Sequence, residues 1–129
     1  MEYGHSRNQV YLMNIHFVWC PKRRKKVLVG SIAKRLKEIL EQVAKEKQVK
    51  ILALEIQPDH LHLFVSCYPQ MVVHKLIKAF KGRSSNLLRN EFFSLRKLPS
   101  LWTNSYFVST AGNVSSKTIQ KYIEAQSTK

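Results

Sequence analysis

The first candidates for chemistry are two histidines, His60 and His62, which open an apolar stretch of the chain. Side chains alternate between the faces of a β-strand, so both imidazoles would lie on one face while Leu61 faces a core. Two adjacent imidazoles can reach one metal ion. An H-x-H pair alone is a weak metal signal, and an exposed structural pair is the alternative. No third His, Cys or carboxylate stands at zincin or zinc-finger spacing, so zinc is not the obvious ion.

A second polar pair, Tyr122 and Gln126, lies near the end of the chain. The spacing of Ile119 and Ile123 predicts a helix from Lys117 to about Ser127, and residues four apart stack on the same helix face. The tyrosine and the glutamine would therefore share the stripe that is buried, where polar groups need partners. They can join the histidines in one site only if this helix docks beside the histidine strand.

Two further side chains are secondary candidates. A turn at Pro58 predicts a hairpin between Val49–Gln57 and His60–Tyr68, which would bring Glu55 near the histidine face. Glu55 could orient an imidazole from behind, or it could be an ordinary exposed strand carboxylate, and the sequence leaves both open. His16 is a weak site candidate, because a lone strand histidine is more often structural.

The charge balance points to a polyanionic partner. The chain has 22 Lys and Arg against 8 Asp and Glu, a net charge of +14, and nucleic acid is the natural partner for such a surface. The cations cluster after the first strand and along a later helix, which argues against a basic surface that serves only solubility. Trp102 and Tyr106 could stack on unpaired bases, although packing is the commoner use of such rings. The predicted phosphate contacts are Lys22, Arg23, Arg24, Lys78, Lys81 and Arg83.

Length and composition favour one globular domain over residues 1–129, with 44% hydrophobic residues. No apolar run approaches membrane-spanning length and the N-terminus is no signal peptide, so a cytoplasmic protein is expected. Cys20 and Cys67 lie in separate apolar strands, which predicts buried reduced thiols rather than a zinc knuckle or a disulfide framework.

The elements that must position these residues alternate in two β-α-β halves. This order predicts an α+β fold, a ferredoxin-like split β-α-β with an antiparallel sheet and helices on one face. The final helix could then lie across the open face, on which the histidines stand. The predicted elements before that helix are the strand Gln9–Cys20, the helix Ser31–Gln48, the strands Val49–Gln57 and His60–Tyr68, the helix Gln70–Phe93 with a break near Gly82, and a strand within Leu101–Thr110.

Taken together, these motifs resemble those of the small single-tyrosine HUH transposases of insertion sequences, the 200/605 type (transposase A), which move as single-stranded DNA. The resemblance runs over nearly the whole chain, and no single piece is as specific as the combination. The segments that carry it are Val18-Trp19-Cys20-Pro21-Lys22, Pro58-Asp59-His60-Leu61-His62, Lys81-Gly82-Arg83-Ser84-Ser85, Leu101-Trp102, Ser105-Tyr106-Phe107 and Lys121-Tyr122-Ile123-Glu124-Ala125-Gln126.

The resemblance implies a metal-dependent single-strand DNA endonuclease and strand transferase. It implies that His60, His62 and Gln126 hold Mg²⁺ or Mn²⁺, that Tyr122 is the nucleophile of a 5′-phosphotyrosine intermediate, and that a homodimer binds hairpins near the element's ends. One alternative is a nonenzymatic nucleic-acid-binding module on the same fold, which explains the charge but makes these four residues coincidences. Another is a domesticated HUH nuclease that acts on repeated palindromes.

Overall fold

The computed structural model describes residues 13–110 and 116–128. Three short 3₁₀ turns, at Lys22–Arg24, Phe93–Lys97 and Gln126–Thr128, join or extend the main elements. The main elements, in chain order, are β1 (Met13–Trp19), α1 (Gly30–Glu46), β2 (Lys50–Gln57), β3 (His60–Cys67), α2 (Val73–Glu91), β4 (Phe107–Ser109) and α3 (Ser116–Ala125).

The strands form one antiparallel sheet in the order β2-β3-β1-β4. Because β1 and β3 are the two inner strands, each helix α1 and α2 connects strands that are not neighbours, which is the split β-α-β topology. The predicted ferredoxin-like class is therefore confirmed. The register places both Val18 of β1 and Glu55 of β2 opposite His62, and Gln57 opposite His60.

One face of the sheet and the two long helices enclose the main core. The strand alternation turns Phe17 and Leu63 to this side, where both are fully buried. Helix α1 contributes Leu40 and α2 contributes Phe80 to the same cluster. Burying one such side chain contributes roughly 1.5–3 kcal/mol, so this half of the molecule fixes the sheet that carries the histidines.

The opposite face of the sheet is covered in part by α3. Ile119 and Ile123 of this helix pack against Val18 and Cys20 of the first strand region in a second, smaller cluster. The expected placement of the last helix across the open face is thus confirmed. The apolar contact is narrow, because only one helical stripe supplies it.

The predicted break near Gly82 is wrong, since α2 runs without interruption from Val73 to Glu91. A single glycine costs a helix about 1 kcal/mol relative to alanine, and the buried residues on either side of it outweigh that amount. Ser84 also stays in the helix, with its hydroxyl donating to the carbonyl of Phe80.

The predicted strand within Leu101–Thr110 is confirmed as β4, which is short: only Phe107–Ser109 pairs with β1. Trp102 forms an isolated bridge with Pro21 instead. The backbone carbonyls of Thr103 and Ser105 accept hydrogen bonds from a lysine side chain rather than from a neighbouring strand. Of the first predicted strand, residues 9–12 lie outside the described part of the chain.

The remaining predicted elements are confirmed to within a few residues at each end. In the ranges that the structure describes, none of the helices is both long enough and apolar enough to cross a lipid bilayer.

Candidate active site

His60 and His62 lie on the face of β3 that looks away from the main core. Their ring centroids are 5.1 Å apart and the ring planes are nearly perpendicular, at 80°. The cavity beside them has a volume of about 530 Å³. It is lined by His16, Ala53, Glu55, His60, His62 and Phe64 from the sheet and by Ile119, Gln120 and Ile123 from α3.

The orientation of His60 is set by its neighbour Asp59. The Nδ1 atom of His60 lies 2.8 Å from Oδ1 of Asp59, and Oδ2 of the same carboxylate accepts a hydrogen bond of 2.7 Å from Nε of Arg24. Burial raises the pKa of Asp59, but the hydrogen bonds from Arg24 and His60 outweigh it and hold the pKa below its ordinary value. An ionised carboxylate here places the imidazole proton on Nδ1, which leaves Nε2 of His60 free to bind a metal.

His62 has an equivalent neighbour in His16. Its Nδ1 atom lies 3.3 Å from Nε2 of His16, and the two rings stack with centroids 5.4 Å apart. Burial lowers the pKa of both imidazoles, and the nearby His60 lowers that of His62 further. Neutral imidazoles are the form that binds metals, and a proton donated from Nδ1 of His62 to His16 leaves Nε2 of His62 as a ligand. The weak candidate His16 thus belongs to the site.

The histidine pair fits part of a divalent-cation site. No group of three or more His, Cys, Asp or Glu side chains that could hold a metal occurs among residues 13–110 and 116–128. Glu55 lines the cavity but is exposed, and its carboxylate accepts a hydrogen bond from Gln57 at 3.2 Å. Other ligands to a metal would have to be an amide, water or phosphate oxygens, which are the donors that Mg²⁺ and Mn²⁺ accept.

Tyr122 of α3 and Gln126 of the 3₁₀ turn that follows it both contact Ser105. The phenolic oxygen of Tyr122 is 3.1 Å from the Ser105 hydroxyl, which donates to Oε1 of Gln126 at 2.9 Å. Gln126 is buried, and its amide nitrogen donates to the carbonyl of Tyr122. Burial raises the pKa of Tyr122, so the phenol is protonated. The structure therefore brings these two side chains together but not onto the histidines, whose cavity they do not line.

The residues that were predicted to contact phosphates lie in different environments. Arg83 directs both terminal nitrogens to Glu46 of α1, at 2.7 and 3.1 Å. Lys81 turns inward, and burial lowers its pKa to about 8. Lys78 and Lys81 line the same second cavity, of about 400 Å³, and Lys78 is exposed beside it. Arg83 is not among the residues that line this cavity, so the three predicted contacts on α2 do not form one patch.

The residues of the basic turn after β1 also differ in their exposure to solvent. Lys22, Arg23 and Arg24 form one 3₁₀ turn. Arg24 is half-buried and paired with Asp59, whereas Arg23 is exposed. Only part of the predicted basic loop is thus presented to solvent.

Trp102 and Tyr106, the two candidates for stacking on bases, differ in their burial as well. Trp102 is buried and its indole nitrogen donates to the hydroxyl of Ser84, so its packing role is confirmed and its ring is not open to a base. Tyr106 is half-buried, lines the second cavity and lies within 5.8 Å of the Lys81 ammonium group.

Sequence reasoning missed Asp59 and Ser105. Asp59 follows Pro58 in the turn, and the signal that identifies it is an acidic residue directly before a possible metal-binding histidine, the position of an orienting partner. Ser105 lies 17 and 21 residues from its two partners in a loop, and no periodicity connects them.

This geometry can be set against known proteins. The family profile described as "Transposase IS200 like" matches residues 9–126. The chain belongs to the IS200-like transposase family. The resemblance noted in the sequence is thereby confirmed at the level of the family.

The relatives of this IS200-like transposase agree with that assignment. It is 36% identical over 129 residues to the ISDra2 transposase TnpA of Deinococcus radiodurans, with 98% of this chain and 92% of the relative covered. It is 32% identical over 114 residues to the transposase for insertion sequence element IS200 of Salmonella typhimurium, with 86% and 74% covered.

Solved structures extend the comparison. A crystal structure of a candidate transposase from Deinococcus radiodurans R1 superposes on this IS200-like transposase with a TM-score of 0.84 at 38% identity, covering 98% of both chains. A REP-associated tyrosine transposase bound to a REP hairpin matches with a TM-score of 0.56 at 14% identity, covering 96% of this chain and 69% of that one. The second match shows that the fold is shared.

Proposed function

We propose that this transposase cleaves and rejoins single-stranded DNA that carries hairpin ends, through a 5′-phosphotyrosine intermediate on Tyr122. The observation that carries the proposal is the pair His60 and His62, whose Nδ1 atoms face Asp59 and His16. The carboxylate of Asp59 favours a proton on Nδ1 of His60, and a proton on Nδ1 of His62 donated to His16 would leave both Nε2 atoms for a ligand. A histidine pair oriented in this way suits a bound divalent ion better than a structural role.

Tyr122 would supply the nucleophile. Its phenolic oxygen would attack phosphorus, so that a bond from the tyrosine oxygen to phosphorus forms while the bond from phosphorus to the 3′-oxygen breaks. The 3′-oxygen takes up a proton and leaves as a hydroxyl, and the phosphate stays on the 5′ end. Attack of a 3′-hydroxyl on the phosphotyrosine reverses the step and rejoins DNA without ATP.

The histidines and Gln126 would hold Mg²⁺ or Mn²⁺ next to the scissile phosphate. When bound, such an ion polarises the phosphate and neutralises the charge that develops during attack. The phenol has a raised pKa in its present surroundings. Release of Tyr122 from burial would bring the pKa back toward its ordinary value, which favours loss of the proton on attack.

Assembly of the site would require α3 to move. Tyr122 and Gln126 would leave Ser105 and reach a pair of histidines, either those of the same chain or those of a partner in a homodimer. The anchoring of α3 by Ile119 and Ile123 on a small cluster supports such a movement, because little apolar area holds the helix.

The DNA would be held by charge and by shape. The net charge of +14 favours a DNA backbone. The exposed cations Arg23 and Lys78 would contact phosphates, and so would Lys22, which precedes Arg23 in the same turn. The protein of similar fold that is bound to a REP hairpin supports a hairpin as the shape that is recognised.

A nonenzymatic hairpin-binding protein is the second candidate. It is favoured by the contacts of Tyr122 and Gln126 with Ser105, which keep the would-be nucleophile and ligand off the histidine cavity. A domesticated nuclease acting on repeated palindromes would use the same chemistry as the transposase and differ in its DNA.

The deciding experiment is a search for a covalent adduct. A labelled pool of single-stranded oligonucleotides, each with a hairpin and random flanks, is first enriched for binding to the protein and then incubated with Mn²⁺ or Mg²⁺. A protein–DNA adduct that resists denaturation is expected, and it should disappear with Tyr122→Phe or a chelator. Tyr106→Phe is the matched control and should keep the adduct. Binding without any adduct would favour the nonenzymatic protein.

A further inference from the structure

Arg24, Asp59 and His60 form a continuous chain of side-chain contacts from solvent to the histidine pair. Nε of Arg24 donates to Oδ2 of Asp59 at 2.7 Å, and the other carboxylate oxygen lies 2.8 Å from Nδ1 of His60. Asp59 is 8% exposed. Both oxygens of this carboxylate therefore contact a side chain, and the carboxylate is shielded from water. The ion pair between Arg83 and Glu46, by contrast, is exposed.

The turn that presents Arg24 to Asp59 has an uncommon backbone conformation. Arg23 and Arg24 have φ angles of 55° and 54°, the left-handed region that residues with a side chain seldom adopt. Such a conformation costs of order 1 kcal/mol or more and persists where surrounding contacts hold it. Backbone hydrogen bonds from Arg24 to the carbonyl of Pro21 (2.8 Å) and from Lys25 to that of Lys22 (3.3 Å) hold this turn. From it the side chain of Arg24 reaches the carboxylate of Asp59, which lies 35 residues further along the chain.

The same guanidinium also touches the end of the chain. Its Nη1 atom donates to the hydroxyl of Ser127 at 3.2 Å, in the 3₁₀ turn that follows α3. Arg24 thus contacts both the histidine turn and the segment next to the helix that carries Tyr122. The charge of Arg24 is therefore already paired with a carboxylate, whereas the neighbouring Arg23 is exposed.

We propose that Asp59 and Arg24 are positioning residues for His60, and that Arg24 is not one of the phosphate contacts. Asp59 fixes the ring and keeps the proton on Nδ1, and Arg24 fixes Asp59. This inference rests on the proposed function for the role of the metal, but the preferred proton position on His60 follows from the contacts alone. Partners of this kind typically change metal affinity by about 10-fold to 100-fold when they are replaced.

The first measurement determines which ring nitrogen of His60 carries the proton, in the absence of any metal. Nitrogen NMR of imidazole-labelled protein, at a pH where the ring is neutral, distinguishes the Nδ1–H form of His60 from the Nε2–H form. The wild type should hold the Nδ1–H form, and Asp59→Ala should give a mixture. An unchanged proton position in Asp59→Ala, with the fold intact by circular dichroism, would overturn the proposal.

The second measurement reads metal affinity without catalysis. Mn²⁺ binding is followed by the loss of the free-ion electron paramagnetic resonance signal, for the wild type and for Asp59→Asn, Arg24→Gln and Arg24→Lys. Asp59→Asn should weaken binding by about 10-fold or more, Arg24→Gln by less, and Arg24→Lys should restore part of the loss. Arg23→Gln is the matched control, since it removes a neighbouring charge from the same turn.

The outcomes separate this inference from the proposed function. If the double variant His60→Ala, His62→Ala binds Mn²⁺ as the wild type does, the proposed metal site fails, and the NMR measurement alone decides the positioning role. If that double variant loses Mn²⁺ while Asp59→Asn and Arg24→Gln keep it, the inference fails and the metal site stands. Equal losses of DNA affinity in Arg24→Gln and Arg23→Gln, with Mn²⁺ affinity unchanged, would make Arg24 a phosphate contact and overturn the proposal.

Discussion

The phenolic oxygen of Tyr122 lies 3.1 Å from the hydroxyl of Ser105, a residue of the loop before β4. Because the same hydroxyl donates to Gln126, one serine engages both the proposed nucleophile and the proposed third metal ligand. The two side chains are one helical turn apart, so a movement that frees one would free the other. The residues of α3 that line the histidine cavity are Ile119, Gln120 and Ile123, and neither Tyr122 nor Gln126 is among them.

Replacing Ser105 with alanine should accelerate adduct formation if release of α3 limits the rate. A neutral hydrogen bond contributes about 1 kcal/mol, so losing one or two predicts a gain of about 5-fold to about 30-fold in the single-turnover rate of phosphotyrosine formation. Ser100→Ala is the matched control, because that hydroxyl donates to the Trp102 carbonyl. A slower adduct in Ser105→Ala alone would show that Ser105 assists Tyr122 in the reaction itself.

Truncating Ile123 should loosen α3 without unfolding the sheet. Ile39 and Ile123 are both buried, but Ile39 belongs to the main core and Ile123 to the small cluster on the other face. Ile39→Ala should lower the free energy of unfolding by about 2–5 kcal/mol. Ile123→Ala should change it less and should instead speed hydrogen exchange in α3. Equal losses of global stability would show that α3 folds as one unit with the core.

The parts of the fold that follow from local rules could be predicted. The alternation along β3 placed His60 and His62 on one face and Leu61 and Leu63 on the other, and the structure agrees because the pleat has a period of two. The order of strands and helices gave the sheet topology for a similar reason, since few topologies join two β-α-β halves.

The parts that depend on contacts distant in sequence could not be predicted. The pairing of Arg24 with Asp59 and the contacts of Ser105 with α3 leave no periodic pattern. The position of the short fourth strand within Leu101–Thr110 could not be predicted either, because the carbonyls of Thr103 and Ser105 before it accept hydrogen bonds from Lys81, which propensity along the loop does not reveal. The roles of Tyr122, Gln126 and the metal stay predictions.

The two cations Lys78 and Arg83 should contribute differently to DNA binding. Lys78 is exposed, whereas both terminal nitrogens of Arg83 are directed to Glu46. For a hairpin oligonucleotide, Lys78→Gln should reduce the slope of log affinity against log salt by about 1. Arg83→Gln should change the slope by less, because this guanidinium is already neutralised. Fluorescence anisotropy across a salt series measures both slopes, and a larger effect of Arg83→Gln would contradict the assignment.

The free energy of unfolding should depend on pH because of the buried ammonium group of Lys81. Burial lowers the pKa of this ammonium group from 10.5 to about 8 in the folded protein, although Cys20 opposes the shift. Below pH 8 both the folded and the unfolded states hold the proton. Between about pH 8 and 10.5 the unfolded state binds more protons, so the free energy of unfolding should rise with pH. Partial burial keeps the rise below the limit of about 1.4 kcal/mol per pH unit.

A comparison with Lys81→Met isolates this effect. The thiol of Cys20 acts in the opposite direction, because burial raises its pKa from 9.0 to about 12 and the unfolded thiol loses its proton first. Both proteins carry Cys20, so its contribution largely cancels in their difference.

Urea unfolding at several values between about pH 7.5 and 9.5 should therefore show the stability advantage of wild type over Lys81→Met growing with pH. Lys78→Met, an exposed lysine on the same helix, should show no such growth. A constant or shrinking advantage would mean that Lys81 keeps its charge in the folded protein, stabilised by the two carbonyls it contacts.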